Sequence, residues 1–150
     1  MNSSTFTLFF IGLLLFVSCS KDKYGNTDIS SNTYTTNWTF QDPSYYCDIS
    51  VPEITQDIVD NGAVFVYMSN GNGGWTALPF TEPIDGSYSS TYTPVHFLGG
   101  VRIWKTDTDL LTLDPGTSTI KVVTVSEHGL AERPNVNWVD YEEVKKELDN

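Results

Sequence analysis

Residues 63–68 read Ala63-Val64-Phe65-Val66-Tyr67-Met68, an unbroken apolar run between Asn61-Gly62 and the glycine-rich Asn70-Gly71-Asn72-Gly73-Gly74. A run this short, rich in β-branched and aromatic residues and bounded by turn formers, fits a strand. Side chains alternate across a strand, so apolar residues at every position predict a central strand covered on both faces.

Working outward, the same spacing repeats. Apolar or alternating runs at 37–41, 45–51, 75–80, 87–93, 101–106 and 119–125 are separated by turn signals every 8–12 residues. Asp42-Pro43, Asp85-Gly86, Gly99-Gly100 and Asp114-Pro115-Gly116 supply those turns, and Pro52 closes the second strand because it lacks a ladder N–H. The count predicts seven to eight strands, an all-β antiparallel sandwich of two packed sheets. Residues 53–60 fit either a helical turn or a crossing loop, with Ile54 and Ile58 on one side. The loop 70–74 is glycine-rich without the lysine and following helix of a phosphate cradle, so a wide hairpin turn accounts for it.

The C-terminus changes period. Asp140 is placed to cap a short helix, with Glu143 three residues on in a capping-box pattern and Val139 and Val144 placed as a hydrophobic staple. Glu142 and Lys146 are an i,i+4 pair. Tyr141, Val144 and Leu148 fall on one face. A helix of about nine residues does not persist alone in water, so this one is expected to dock on the sandwich.

The chain has 150 residues and a formal charge of −11, and all 27 charged residues (8 Lys+Arg and 19 Asp+Glu) follow residue 18. An acidic domain without clustered Lys/Arg is not built to neutralise phosphates, so nucleic acid is excluded as a partner class. Acidity otherwise serves solubility. Two cysteines are present, Cys19 and Cys47. Alternation in Tyr45-Tyr46-Cys47-Asp48-Ile49 puts Cys47 on a strand, as a buried free thiol rather than a nucleophile in an electropositive setting.

Residues 8–19, Leu-Phe-Phe-Ile-Gly-Leu-Leu-Leu-Phe-Val-Ser-Cys, are apolar and uncharged. The run is shorter than the ~20 residues of a membrane-spanning helix and fits the h-region of a secretory signal. It resembles a bacterial lipoprotein signal peptide (residues 1–18), with Phe16-Val17-Ser18-Cys19 as its lipobox. The resemblance implies cleavage before Cys19, acylation there (diacylglycerol and an amide-linked chain such as palmitate), and attachment to a membrane in the cell envelope. Ser20-Lys21-Asp22 resembles the surface-export signal of Bacteroidetes lipoproteins, which implies an outer-membrane lipoprotein facing the periplasm or the cell surface. Residues 19–36 are polar, lack apolar periodicity, and are expected to be the lipidated cysteine and a flexible tether reaching roughly 20–24 Å. The folded domain is expected at 37–150.

Val51-Pro52-Glu53-Ile54-Thr55, Asn61-Gly62-Ala63-Val64-Phe65-Val66-Tyr67 and Trp75-Thr76-Ala77-Leu78-Pro79 follow one another in an order similar to that of a group of uncharacterised Bacteroidetes lipoproteins. The ending, Ile120-Lys121-Val122-Val123-Thr124-Val125 and then Asp140-Tyr141-Glu142-Glu143-Val144-Lys145-Lys146, is similar to that group's ending. The resemblance implies a small β-rich domain in the envelope. It contributes no catalytic residues and no cofactor.

The chemistry-bearing residues are few. His96 and His128 are the only histidines, and neither has a second histidine or a thiolate at metal-ligand spacing. No Gly-x-Ser-x-Gly elbow is present. Asp107, Asp109 and Asp114 make an acidic stretch that offers oxygen ligands to Ca²⁺, without EF-hand spacing; solvated loop acids are the default. Trp38, Trp75 and Trp104 join Tyr67, Tyr88 and Tyr92 on expected strands. Core packing is the ordinary use of such rings. Turned outward on one sheet they would form a platform for a ligand, and Trp104, Tyr67 and Trp75 are the candidates for it. In Val101-Arg102-Ile103-Trp104, alternation sends Arg102 and Trp104 away from the core. The expected function is a membrane-anchored, non-enzymatic binding or envelope-structural domain without cofactors. The alternative is a glycan-binding module for polysaccharide capture.

Overall fold

The computed structural model describes residues 28–109 and 113–149. The expected signal segment 1–18, Cys19 and the 19–27 part of the expected tether lie outside the described residues. Those described form nine strands and three short helices: β1 (Ile29–Thr36), β2 (Thr39–Gln41), β3 (Ser44–Ser50), α1 (Gln56–Asn61), β4 (Ala63–Ser69), β5 (Trp75–Ala77), β6 (Phe80–Pro83), β7 (Ser89–Phe97), β8 (Gly100–Asp107), β9 (Ser118–Val125), α2 (Glu127–Glu132) and α3 (Tyr141–Leu148). A four-stranded antiparallel sheet, in the order β1-β9-β4-β5, packs on a five-stranded one, in the order β2-β3-β8-β7-β6. The expected all-β sandwich with a C-terminal helix is the observed fold.

Two strands more than the seven runs of the sequence arise from two places. First, Ile29–Thr36, expected in the tether, is strand β1, paired with β9 from Ile29 opposite Val125 to Thr36 opposite Ser118. The tether boundary at residue 36 is therefore corrected: the folded domain already includes Asp28. As an edge strand, β1 inserts few apolar side chains, Tyr34 toward the sandwich core and Ile29 toward the helices. Its Ser/Thr-rich sequence thus looks like linker. Second, the run 75–80 is two strands in different sheets, because Pro79 has no N–H to continue a ladder and the chain crosses there from β5 to β6. Pro94 sits inside β7, yet β6 ends opposite Tyr92, so from Thr93 onward β7 is an edge where proline is tolerated.

The run 63–68 behaves as its composition requires. Val66 (3% exposed) and Tyr67 (0%) are neighbours buried on opposite faces of β4. Val66 joins Cys47, Ile49, Val101, Ile103, Tyr92, Ile120 and Val122 between the sheets. Tyr67 joins Val123, Val125, Tyr141 and Val144 in a second core between the four-stranded sheet and the helices. The molecule is thus three layers: five-stranded sheet, four-stranded sheet, and α2 with α3, while α1 packs Ile58 and Val59 against the core between the sheets. Residues 53–60 resolve as a helical turn, with Thr55 capping α1 and Ile54 fully buried.

α3 docks as its apolar face requires, with Tyr141, Val144 and Leu148 in the second core. Asp140 caps it, accepting from the Glu142 N–H at 3.0 Å. The expected capping box and staple do not form. Glu143 accepts instead from the Asn137 N–H, and Val139 is 69% exposed while Val144 is fully buried.

Candidate functional site

Because the helices cover the four-stranded sheet, the outer face of the five-stranded sheet stays open. Alternation selects its side chains. Cys47, Ile49, Val101 and Ile103 point into the sandwich, so Tyr46 and Asp48 of β3 and Arg102 and Trp104 of β8 point out. Register sets Tyr46 opposite Trp104 and Asp48 opposite Arg102. The two rings meet with centroids 5.3 Å apart, tilted by 47°. The Arg102 guanidinium lies 4.4 Å from the Tyr46 centroid and 5.5 Å from that of Trp104. It also donates twice to Asp48, Nε to Oδ1 and Nη2 to Oδ2, each at 2.7 Å.

The paired guanidinium holds the Asp48 carboxyl below its ordinary pKa, and the same hydrogen bonds raise that of Arg102. Asp48 is therefore an ionised acceptor, unlike a general acid, which needs a raised pKa. The result is a small patch with aromatic surface, a fixed planar donor and a fixed carboxylate. Beside it, Val95 faces Arg102 from β7, and Val95 (50% exposed), Phe97 (46%) and Leu98 (61%) form an apolar margin at the β7–β8 hairpin.

The three aromatic candidates are not brought together. Trp104 is on the open face. Tyr67 is fully buried, with its hydroxyl donating to the Trp138 carbonyl and burial pushing its pKa up, so it packs and offers nothing to a ligand. This corrects the expectation for Tyr67. Trp75 lies on the helix side, tilted against Tyr141 at 5.7 Å, with the Lys121 ammonium 4.5 Å from its ring. It borders a shallow groove of about 470 Å³ with Asn137, Val139 and Tyr141. Two sheets therefore separate it from Trp104.

The acidic stretch divides between a strand and a turn. Asp107 belongs to β8 and points inward, 2% exposed. Lys105, also buried, donates to it at 2.7 Å, and Ser90 donates to the same oxygen. Burial alone would raise the Asp107 pKa, but the hydrogen bonds from Lys105 and Ser90 outweigh it and leave the pKa lowered. Asp114 accepts from the Gly116 N–H and closes its turn. An ammonium occupies the position a cation would take at Asp107, which corrects its place among the Ca²⁺ candidates.

Cys47 is buried between the sheets, and burial pushes its thiol up to about 11, the setting of an inert thiol. His96 is exposed on β7. His128 is on α2, between the carboxylates of Asp28 and Glu132. Sequence reasoning missed Tyr46 and Asp48 on the open face, although their alternation with Cys47 and Ile49 carries the signal. It also missed Trp138, which stacks on Phe65 at 5.2 Å and 8°.

Comparison with protein-family models, with curated proteins and with solved structures returned no match.

Proposed function

We propose that this chain is a lipid-anchored, non-enzymatic envelope domain that binds saccharide on the open face of its five-stranded sheet. The observation that carries this reading is the Tyr46–Trp104 pair with the Arg102–Asp48 bidentate pair beside it. A sugar ring presents C–H groups on its faces and hydroxyls on its rim. Aromatic faces cover the former, while a fixed guanidinium and a fixed carboxylate serve the latter as donor and acceptor. A second reading, an envelope-structural contact with a protein partner, draws on the exposed Val95, Phe97 and Leu98.

The test is a glycan array probed with the non-acylated Cys19→Ser chain, followed by calorimetric titration of the strongest ligand. Trp104→Ala is expected to weaken binding at least tenfold, about 1.4 kcal/mol, with an unchanged circular dichroism spectrum. Trp75→Ala is expected to leave affinity unchanged. A blank array, or full affinity in Trp104→Ala, would overturn the saccharide reading.

A further inference from the structure

We propose that Asp28, His128 and Glu132 form a divalent-metal site of the zinc class that clips the start of β1 to α2. The fold builds this cluster from three local causes. Ser126 follows the last residue of β9 and caps α2 by accepting from the Gly129 N–H at 2.9 Å. The resulting turn of helix puts His128 and Glu132 at i,i+4 on one side. Asp28 arrives from the N-terminal side, its carbonyl accepting from the Ser126 N–H at 2.9 Å. Gly129 permits this approach, because a Cβ there would stand 2.5 Å from the Asp28 carbonyl oxygen.

The imidazole then lies between two carboxylates, with Nδ1 3.2 Å from Asp28 Oδ1 and Nε2 3.4 Å from Glu132 Oε1. One ligand atom from each residue lies within 4.8 Å of the other two. Tetrahedral zinc at about 2.0–2.2 Å separates its ligand atoms by about 3.3–3.6 Å and takes one imidazole nitrogen only, so three protein ligands are completed by closure on one edge of the ring, with the carboxylate that faces the other nitrogen swung across. The side chains are 64% (His128), 52% (Glu132) and 27% (Asp28) exposed, so this closure disturbs no core packing and leaves the fourth position to water.

A nitrogen with two carboxylate oxygens suits Zn²⁺ rather than Ca²⁺, which takes six to eight oxygens. Two carboxylates and a neutral imidazole also balance its charge. Ser126 Oγ donates to Asp28 Oδ1 at 3.0 Å and orients it, as outer-shell partners of metal ligands do. Arg133 is the opposing influence. Its positive charge acts on Asp28, and its Nη1 lies 3.7 Å from Glu132 Oε2, the oxygen turned away from His128. That repulsion is expected to keep the affinity below that of a buried structural site. The clip is independent of the saccharide face, which lies on the other sheet.

The test uses the full Cys19→Ser chain after chelator treatment, titrated with zinc chloride by calorimetry and melted with and without the metal. One zinc per chain and a rise of several degrees in melting temperature are expected. His128→Ala and Glu132→Gln should each weaken binding at least tenfold, with metal-free melting temperatures matching the parent. His96→Ala should bind as the parent does. Absence of both heat and stabilisation at millimolar zinc, or undiminished binding in His128→Ala, would overturn the site.

Discussion

Lys105 and Asp107 show how strictly the two-residue period of a strand dictates side-chain fate. Both follow Val101 and Ile103 on the inward face of β8, so both are buried whatever their polarity. Being two residues apart on one face, they neutralise each other, and Ser90 and the Leu113 N–H complete the carboxylate's partners. Among the described residues, every buried side-chain nitrogen and oxygen has a hydrogen-bond partner. Removing one member strands a charge, so Asp107→Asn should cost about 3–5 kcal/mol in denaturant unfolding. The sign with pH follows from the lowered Asp107 pKa. This carboxylate contributes stability above its unfolded value near 3.9, and the contribution fades as pH falls through the folded value. Wild type should therefore lose stability below about pH 5 more steeply than Asp107→Asn, a difference that pH-resolved urea melts would read. The sequence showed Asp107 only as one acid among three. Its role depends on where β8 ends, and charge-rich ends of strands look like loops.

At the scale of elements, α3 is held by packing rather than by propensity. Its eight residues are below the length that persists in water, and its cap satisfies one donor. Val144 is fully buried against Val123, Val125 and Tyr67, so Val144→Ala should lower stability by roughly 2–3 kcal/mol. Hydrogen exchange should then show α3 amides losing protection before those of β8, and equal loss in both would contradict separate docking. The docking face was legible because Tyr141, Val144 and Leu148 recur at helical spacing. The cap was legible from Asp140, while its partners were not, because Glu143 turns to a donor upstream of the helix. Edge strands were the least legible elements. β1 carries mostly Ser, Thr and Asn, and β5 and β6 hold three and four residues. Such strands bury too few side chains to imprint a pattern.

At the scale of the whole molecule, covering one sheet with α2 and α3 decides which sheet face is left open. The double-faced run 63–68 announced that a third layer existed, and the open face followed from alternation in β3 and β8. Its composition as a cluster needed the register that sets Tyr46 against Trp104, which no local pattern carries. If Cys19 is the anchor, the nine peptide steps to Asp28 span at most about 30 Å, which keeps the end holding Asp28 and α2 nearest the membrane. Cys19→Ser should abolish incorporation of labelled fatty acid, since the acyl chains that give stable attachment have no other site in this reading; label persisting in that variant would contradict the anchor. The four tryptophans report on separate layers: Trp38 donates to Ser118 within the sandwich, Trp75 and Trp138 lie under the helices, and Trp104 lies on the open face. The most direct measurement is therefore the set of indole N–H resonances during titration with a saccharide taken from the array. Movement of the Trp104 signal, with those of Trp38, Trp75 and Trp138 unmoved, is the expected result; movement at Trp75 or Trp138 with Trp104 still would contradict the assignment of the binding face.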